Sequence, residues 1–356
     1  MNYYKQLDGL RAIAIIFVMI AHWLHNSIKI DVLKNLPYGT GVHLFFVISG
    51  FLITKILLDF RETNAARGNS QFRSIKSFYI RRSLRIFPIY YLTIFFLLII
   101  GFTDIHKMMP WLLTYTTNIY LTLNNNYIGS YTHFWSLAVE EQFYLFWGFA
   151  AVFIPRRHLK GTIITLSFFS VLLLIYFKLF TGYWLANALV VCQLYTLGLG
   201  ALIAYYLKYK PDFFEKINVS LIRAITTIVT LIFILFFVFQ KPDPMWEILK
   251  AYKEPAATVV YFFLVLLAIK NGFTGFFKWL LESRVMIYIG KISYGLYVYH
   301  LFMGPLFFNF LNRYLKISTT NLGYFFIFFA MNMIIATISW YLIEKPVNGL
   351  KRFFNY

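Results

Sequence analysis

Apolar stretches long enough to cross a membrane dominate this chain. About 20 apolar residues in a helix span the ~30 Å hydrocarbon layer of a bilayer. Breaks at charges, prolines and polar clusters leave such stretches near residues 8–27, 39–60, 86–103, 135–154, 161–180, 186–207, 220–240, 255–270, 286–311 and 323–344. Hydrophobic residues make up 60% of the chain and charged residues 13%, so no polar stretch remains for a soluble domain. We therefore expect an all-α polytopic membrane protein, a single domain over residues 1–356 with about ten transmembrane helices.

The charges between these stretches predict which side of the membrane each end faces. The chain has 33 Lys and Arg against 14 Asp and Glu, a net charge of +19. The basic residues are dense in alternate connections such as 61–85, and positive charge in membrane proteins collects on the cytoplasmic side. We therefore expect both termini in the cytoplasm and no nucleic-acid partner, although this charge in a soluble protein would suggest one. Residues 110–120 are apolar enough to dip partly into the membrane, and we expect them to be re-entrant or interfacial.

The first apolar stretch holds two ionisable residues on one helix face. Eleven residues at ~100° each separate Arg11 from His22, which brings the two side chains to one face with a rise of ~16 Å between them. Ionisable groups inside a membrane are costly and mark functional sites. A buried, neutral histidine is a candidate general base, and Asp8 is placed to hold Arg11 on a helical turn. The alternative for Asp8 and Arg11 alone is an anchor that sets sidedness.

Two later segments suggest ligand contacts. Ser49 and Gly50 lie in a helix otherwise built of bulky residues, where small residues admit another helix or a slender ligand, and packing is the more frequent reason. Arg82 and Arg85 are three residues apart and therefore share a helix face. Because a guanidinium group donates two parallel hydrogen bonds to phosphate, we favour a phosphorylated cytoplasmic ligand for this pair over a stop-transfer anchor or anionic lipid.

Adjacent carboxyl groups lie inside the fourth stretch. Two buried carboxylates without partners would be prohibitive, so at least one of Glu140 and Glu141 must be protonated, paired or in contact with water. Successive helix positions are ~100° apart, so the two side chains point to different places. Glu141 is a candidate to orient an imidazolium or substrate hydroxyls, and Glu140 is a candidate partner for an arginine. His300 and Glu344 add ionisable groups to two later spans.

Six short sequence blocks lie in order along the chain. They are Arg11 with His22, residues 45–52 (FFVISGFL), Arg82 and Arg85 with Pro88 and Tyr90, residues 135–144 (WSLAVEEQFY), Ser293 and Tyr294 with His300, and finally Glu344, Lys345 and Pro346. Together they resemble the integral-membrane acyltransferase-3 family, whose members O-acylate sugars of surface polysaccharides, peptidoglycan and some small molecules. Any one block is weak, but their order is specific, and the resemblance spans nearly the whole chain.

The resemblance implies ten transmembrane helices and acetyl-coenzyme A (acetyl-CoA) as the usual acyl donor. It also implies that His22 and Arg11 are an essential pair and that Arg82 and Arg85 contact the donor. His43 departs from the family, because many relatives carry an acidic residue there, so no acceptor role is carried over to it. Larger relatives append an extracytoplasmic hydrolase-like domain with a Ser-His-Asp set, and we expect this chain to be the stand-alone form without it.

The residues and the resemblance together assign candidate sites, without a metal. We expect catalytic roles for His22, Arg11 and Glu141, donor binding by Arg82, Arg85, Tyr90 and Ser49, and acceptor binding by Glu140, His133, Trp135 and His300. Cys192 is the only cysteine, which excludes an intrachain disulfide and a cysteine metal cluster.

These assignments predict transfer of an acetyl group from cytoplasmic acetyl-CoA to a sugar hydroxyl of a cell-surface glycan. The O-antigen of lipopolysaccharide ranks first as acceptor, other exopolysaccharides or peptidoglycan next, and the expected location is the bacterial cytoplasmic (inner) membrane. One alternative is a transporter or flippase of a glycolipid or anionic substrate, and another is a non-catalytic scaffold. A serine hydrolase is disfavoured because the chain has no Gly-x-Ser-x-Gly motif.

Overall fold

The structure is a computed structural model that describes residues 3–24, 28, 36–238, 248–310, 313 and 321–354. The predicted spans 8–27, 220–240 and 286–311 each end at residues outside these ranges. The described residues form helices and no strand. The helices are α1 (Lys5–Trp23), α2 (Gly41–Ala66), α3 (Gln71–Ile99), α4 (Ile105–Leu113), α5 (Thr117–Asn124), α6 (Phe134–Phe153), α7 (Arg156–Tyr176), α8 (Leu194–Tyr209), α9 (Pro211–Lys216), α10 (Val219–Val238), α11 (Lys253–Ile269), α12 (Gly275–Leu281), α13 (Arg284–Phe310), α14 (Asn321–Ser339) and α15 (Lys345–Gly349).

Seven helical segments among the described residues are long and apolar enough to cross a membrane. They are Lys5–Trp23, Tyr38–Ala66, Gln71–Ile99, Arg156–Thr181, Val219–Phe236, Ile248–Ile269 and Leu322–Phe353. The other three predicted spans coincide with α6, which carries two glutamates, with α8, which has 16 residues, and with α13, which contains Arg284 and Lys291. The prediction of an all-α polytopic membrane protein is therefore confirmed.

Helix α3 begins well before the predicted residue 86. Its first residue is Gln71, and the Ser70 side chain accepts a hydrogen bond of 3.3 Å from the backbone N–H of Phe72, which caps the helix. The basic segment 73–85 is therefore helical rather than a loop, which confirms that Arg82 and Arg85 share a helix face.

The segment predicted to be re-entrant or interfacial, residues 110–120, lies in two short helices and the turn between them. Helices α4 and α5 have 9 and 8 residues, too few to cross a bilayer. Tyr115 lies between them with a positive φ of 53°, so the chain turns sharply there. The expected membrane position of residues 110–120 stays a prediction.

The chain divides into two compact units. Unit 1 comprises Met1–Ile48 and Ile217–Ile338, and unit 2 comprises Ser49–Lys216 and Ser339–Tyr356. Within unit 2, a Cβ added to Gly50 of α2 would lie 2.0 Å from the carbonyl oxygen of Leu197 on α8. Gly50 is therefore a helix-packing residue, which is the reading that the sequence favoured.

Within unit 1, α1 packs closely against α13. Asp8 of α1 contacts Gly290 of α13, and His22 lies beside His300 further along both helices, so the two helices run in the same direction. This agrees with the predicted order, because the first and ninth of ten successive spans cross the membrane in the same direction. A Cβ added to Gly290 would lie 2.0 Å from the carbonyl oxygen of Asp8, so only glycine allows this backbone approach.

Adding a methyl group at Gly290 should therefore separate α1 from α13. We expect Gly290→Ala to lower the free energy of unfolding by about 1–3 kcal/mol, the usual cost of overpacking, and to lower the melting temperature of the detergent-solubilised protein. Gly304→Ala on the same helix is the matched control, because the nearest atom to its added Cβ lies at 3.5 Å. Equal melting temperatures for the two variants would contradict the proposed backbone contact.

Candidate active site

His22 lies in the last turn of α1, at the point where that helix ends. The helix stops at Trp23, so His22 is near its C-terminal end and not in its interior, as the longer predicted span had placed it. The residue is exposed at the surface of the described helices, and its expected position inside the bilayer stays a prediction. Its ring centre lies 5.0 Å from that of His300, which is fully buried in α13.

Hydrogen bonds at this histidine pair assign the proton on each ring. His300 Nδ1 lies 2.7 Å from the carbonyl oxygen of Tyr297, and His22 Nδ1 lies 2.9 Å from that of Val18. A carbonyl oxygen only accepts, so Nδ1 carries the proton in both rings. His300 Nε2 is then an acceptor, and it lies 3.1 Å from His22 Nδ1, whose single N–H is shared between the Val18 carbonyl oxygen and His300 Nε2.

This assignment leaves the lone pair of neutral His22 on Nε2. Among the described residues that nitrogen makes no hydrogen bond, and it belongs to an exposed side chain. His22 Nε2 is therefore available to accept a proton from a hydroxyl group. The other ring nitrogen, Nδ1, contacts two acceptors, the carbonyl oxygen of Val18 and Nε2 of His300. These contacts fix the orientation of the ring.

His300 does not suit the acceptor-binding role predicted for it. None of its surface is exposed, so a sugar cannot reach it in this structure. It lies beside His22, whose Nδ1 is 3.1 Å from His300 Nε2. His300 is therefore placed to orient His22, and its predicted contact with the acceptor stays a prediction.

Arg11 forms the expected ion pair but lies away from His22. Its Nη1 is 3.8 Å from Asp8 Oδ1, which confirms the predicted pairing on one helical turn. Both Arg11 and His22 belong to the single helix α1, so they share a face at a separation of ~16 Å along the axis. The ion pair with Asp8 also directs the Arg11 side chain toward the N-terminal end of the helix. Arg11 therefore does not contact the candidate base, and its catalytic role stays a prediction.

A second cluster in unit 2 is built around Ser49, Glu140 and Tyr144. The Ser49 hydroxyl donates a hydrogen bond of 2.5 Å to Glu140 Oε1, and the Tyr144 hydroxyl donates one of 3.4 Å to Ser49 Oγ. Ser49 thus binds the carboxylate of Glu140. Its predicted contact with the acyl donor, acetyl-CoA, stays a prediction. Tyr144 was not singled out from the sequence, although it stands one helical turn after Glu140 and therefore shares its face.

Arg82 and Glu141 extend this cluster with polar atoms that the described residues leave without hydrogen bonds. The guanidinium carbon of Arg82 lies 5.5 Å from the ring centre of Tyr144 and 6.0 Å from that of Phe78. Arg82 and Arg85 are half-buried, and neither forms a hydrogen bond or ion pair with a described residue. Glu141 Oε1 is likewise buried without a hydrogen-bond partner in the described part of the chain. Buried polar atoms of this kind commonly bind ligands or water.

Two other predicted site residues are packed into the interior of unit 2. Tyr90 has no exposed surface, its hydroxyl donates a hydrogen bond of 2.8 Å to the carbonyl oxygen of Leu112, and its ring stacks on Tyr115 at 4.2 Å. His133 is 1% exposed, and its ring lies 4.2 Å from that of Phe134. Both side chains are buried in this structure, and their predicted ligand contacts stay predictions. Trp135 is half-buried, and its acceptor role stays a prediction.

Comparison with known proteins connects this geometry to a family. Residues 4–341 match the family model described as Acyltransferase domain. O-acetyltransferase OatA of Staphylococcus aureus strain NCTC 8325 / PS 47 is 28% identical over 386 aligned residues, which cover 99% of this chain and 58% of that protein. Putative O-acetyltransferase SACOL0978 of S. aureus strain COL is 27% identical over 382 aligned residues, with 97% and 57% covered. This chain thus spans less than two thirds of the length of either relative, and no solved structure matches it.

Proposed function

The chain belongs to the Acyltransferase domain family, and on that premise we propose that it is a membrane O-acetyltransferase acting on a sugar hydroxyl. Acetyl-CoA is the proposed donor, and a cell-surface glycan of a bacterium is the proposed acceptor. The observation that carries the proposal is the exposed His22 ring, whose lone pair is held on Nε2. Membership of an acyltransferase family favours this function over the transporter or flippase considered above.

In the proposed reaction, His22 Nε2 acts as the general base. As the sugar oxygen attacks the thioester carbonyl carbon, Nε2 takes the hydroxyl proton and a C–O bond forms. The C–S bond then breaks, and the imidazolium returns the proton to the thiolate sulfur. His300 Nε2 accepts a hydrogen bond from His22 Nδ1–H, which stabilises the imidazolium that forms between these steps. An acyl-histidine at Nε2 is the close alternative, and label left on the protein after donor is supplied without acceptor would identify it.

Arg82 and Arg85 are the proposed donor-binding residues. Coenzyme A carries phosphate groups, and guanidinium groups bind phosphate through paired hydrogen bonds. Two half-buried guanidinium groups that make no hydrogen bond with the described residues support this role. The acceptor ranking is inherited from the resemblance: the O-antigen of lipopolysaccharide first, other exopolysaccharides or peptidoglycan next. The proposed location is the bacterial inner membrane.

Removing the imidazole of His22 tests the proposed base. His22→Ala should lower the rate of acetyl transfer by about 10²–10⁴-fold, the usual contribution of a positioned base, while the protein still inserts into the membrane. The rate is measured in membranes with labelled acetyl-CoA, and mass spectrometry of surface glycans identifies the acetylated sugar. His106→Ala, which removes an exposed histidine of α4, is the matched control. Transfer at the wild-type rate by His22→Ala would exclude the proposed base.

Replacing His300 separates positioning from binding. His300→Leu removes the acceptor for His22 Nδ1–H, so kcat should fall by about 10–100-fold, the worth of a hydrogen bond to a charged group, with the KM for acetyl-CoA unchanged. His300→Gln keeps an acceptor oxygen and should restore part of that loss. A merely structural role predicts equal losses for both variants, and that result would refute the assignment.

A further inference from the structure

Four basic residues of unit 2 lie close enough for their charges to interact. This basic cluster consists of Arg81, Arg82 and Arg85 of α3 and Lys351 of the 3₁₀ turn Leu350–Phe353 that follows α15. Arg81 Nη1 donates a hydrogen bond of 3.1 Å to the carbonyl oxygen of Lys351, which ties the C-terminal segment to α3. The Lys351 ammonium in turn donates a hydrogen bond to Asn348 Oδ1.

The basic cluster concentrates positive charge in a partly dehydrated place. The charges of Arg85, Arg82 and Arg81 all act on the Lys351 ammonium, which is half-buried. Lys351, Arg82 and Arg85 form no ion pair with a carboxylate of the described residues. Glu140 and Glu141 attract Arg82 without forming an ion pair with it, whereas Lys351 faces only the like charges of the arginines. Like charges brought together repel, and the repulsion is weakly screened where water is partly excluded. An arrangement of this kind is stabilised by a bound anion that carries more than one charge.

We propose that Lys351 completes, with the arginines of α3, a binding site for the nucleotide phosphates of the acyl donor. The inference rests on the proposed function, because it takes the donor to be a coenzyme A thioester. It goes beyond the family, because the family match ends at residue 341 and Lys351 lies after it. The sequence alone assigned Lys351 only to the basic residues that set sidedness.

Phosphate is the ligand chemistry that fits these side chains, and two sources can supply it. A nucleotide offers several phosphates to one site, whereas a lipid headgroup lies at the membrane surface and attracts exposed basic residues. Lys345 is a basic residue of the exposed kind that attracts lipid headgroups. Its ammonium lies 5.3 Å from the ring centre of Tyr341. Lys351 is half-buried among arginines instead, which favours the nucleotide.

The test measures equilibrium binding of coenzyme A itself, so that it does not depend on catalysis. The full chain is placed in nanodiscs of neutral phosphatidylcholine, and the Kd is compared between the wild type and Lys351→Gln. We expect the Kd to rise about tenfold, as for loss of one charge-assisted hydrogen bond, and Lys351→Arg to restore tight binding. Lys345→Gln is the matched control, with an expected Kd within about twofold of wild type.

The outcomes separate this inference from the proposed function. Failure of the wild type to bind coenzyme A would refute the proposed donor, whereas equal Kd values for the wild type and Lys351→Gln would refute the role of Lys351 alone. The ligand-free melting temperature of Lys351→Gln should not fall, because the substitution relieves repulsion, and a fall together with weak binding would mean that Lys351 is structural. If Lys351→Gln changes lipid retention in phosphatidylglycerol nanodiscs but leaves the Kd for coenzyme A unchanged, the site binds a lipid headgroup and the proposal is overturned.

Discussion

The close approach of α1 and α13 is the constraint on which the candidate base depends. Gly290 meets the backbone of Asp8 at a distance that no side chain allows, and the two helices then run side by side in the same direction. Further along this interface, His22 and His300 come within hydrogen-bond distance. His22 and His300 are 278 positions apart in the chain. The backbone contact between Asp8 and Gly290 on the same two helices brings them together.

The pairing of His22 with His300 keeps a proton-accepting nitrogen in a membrane protein without a permanent charge. A charged side chain is costly within a bilayer, whereas two neutral imidazoles that donate to carbonyl oxygens are not. The bonds to Val18 and Tyr297 place both protons on Nδ1 and leave the lone pair of His22 on Nε2. Proton uptake then generates a cation that His300 is already placed to stabilise. In the proposed mechanism, the base and the positioning residue therefore act as a unit.

Local sequence patterns predicted the helices and the phases of residues within them. The eleven-residue spacing of Arg11 and His22 and the three-residue spacing of Arg82 and Arg85 fix their relative faces, because both pairs lie in continuous helices. The end of α1 at Trp23 was missed, since no glycine or proline marks it. The burial of Tyr90 was missed as well, because it depends on Tyr115 and Leu112 packing from another helix and its connection.

Tertiary pairing is the part that the sequence did not reveal. His300 and Glu141 were singled out as ionisable groups inside spans, but periodicity says nothing about which helices meet. Arg82 and Lys351 illustrate the same limit. The C-terminal turn packs against α3, and nothing in the sequence pattern predicts that contact. Polar residues inside spans predicted that functional sites exist. Which residues come together at each site became visible only from the packing of helices within each unit.

The position of the proton on His22 tests the central claim most directly. Nitrogen-15 NMR of the protein in lipid, with labelled histidine rings and His22→Gln to assign the signals, distinguishes a protonated from an unprotonated ring nitrogen. At neutral pH the structure predicts a protonated Nδ1 and an unprotonated Nε2. A proton on Nε2 with a bare Nδ1 would contradict the hydrogen-bond assignment and remove the proposed base.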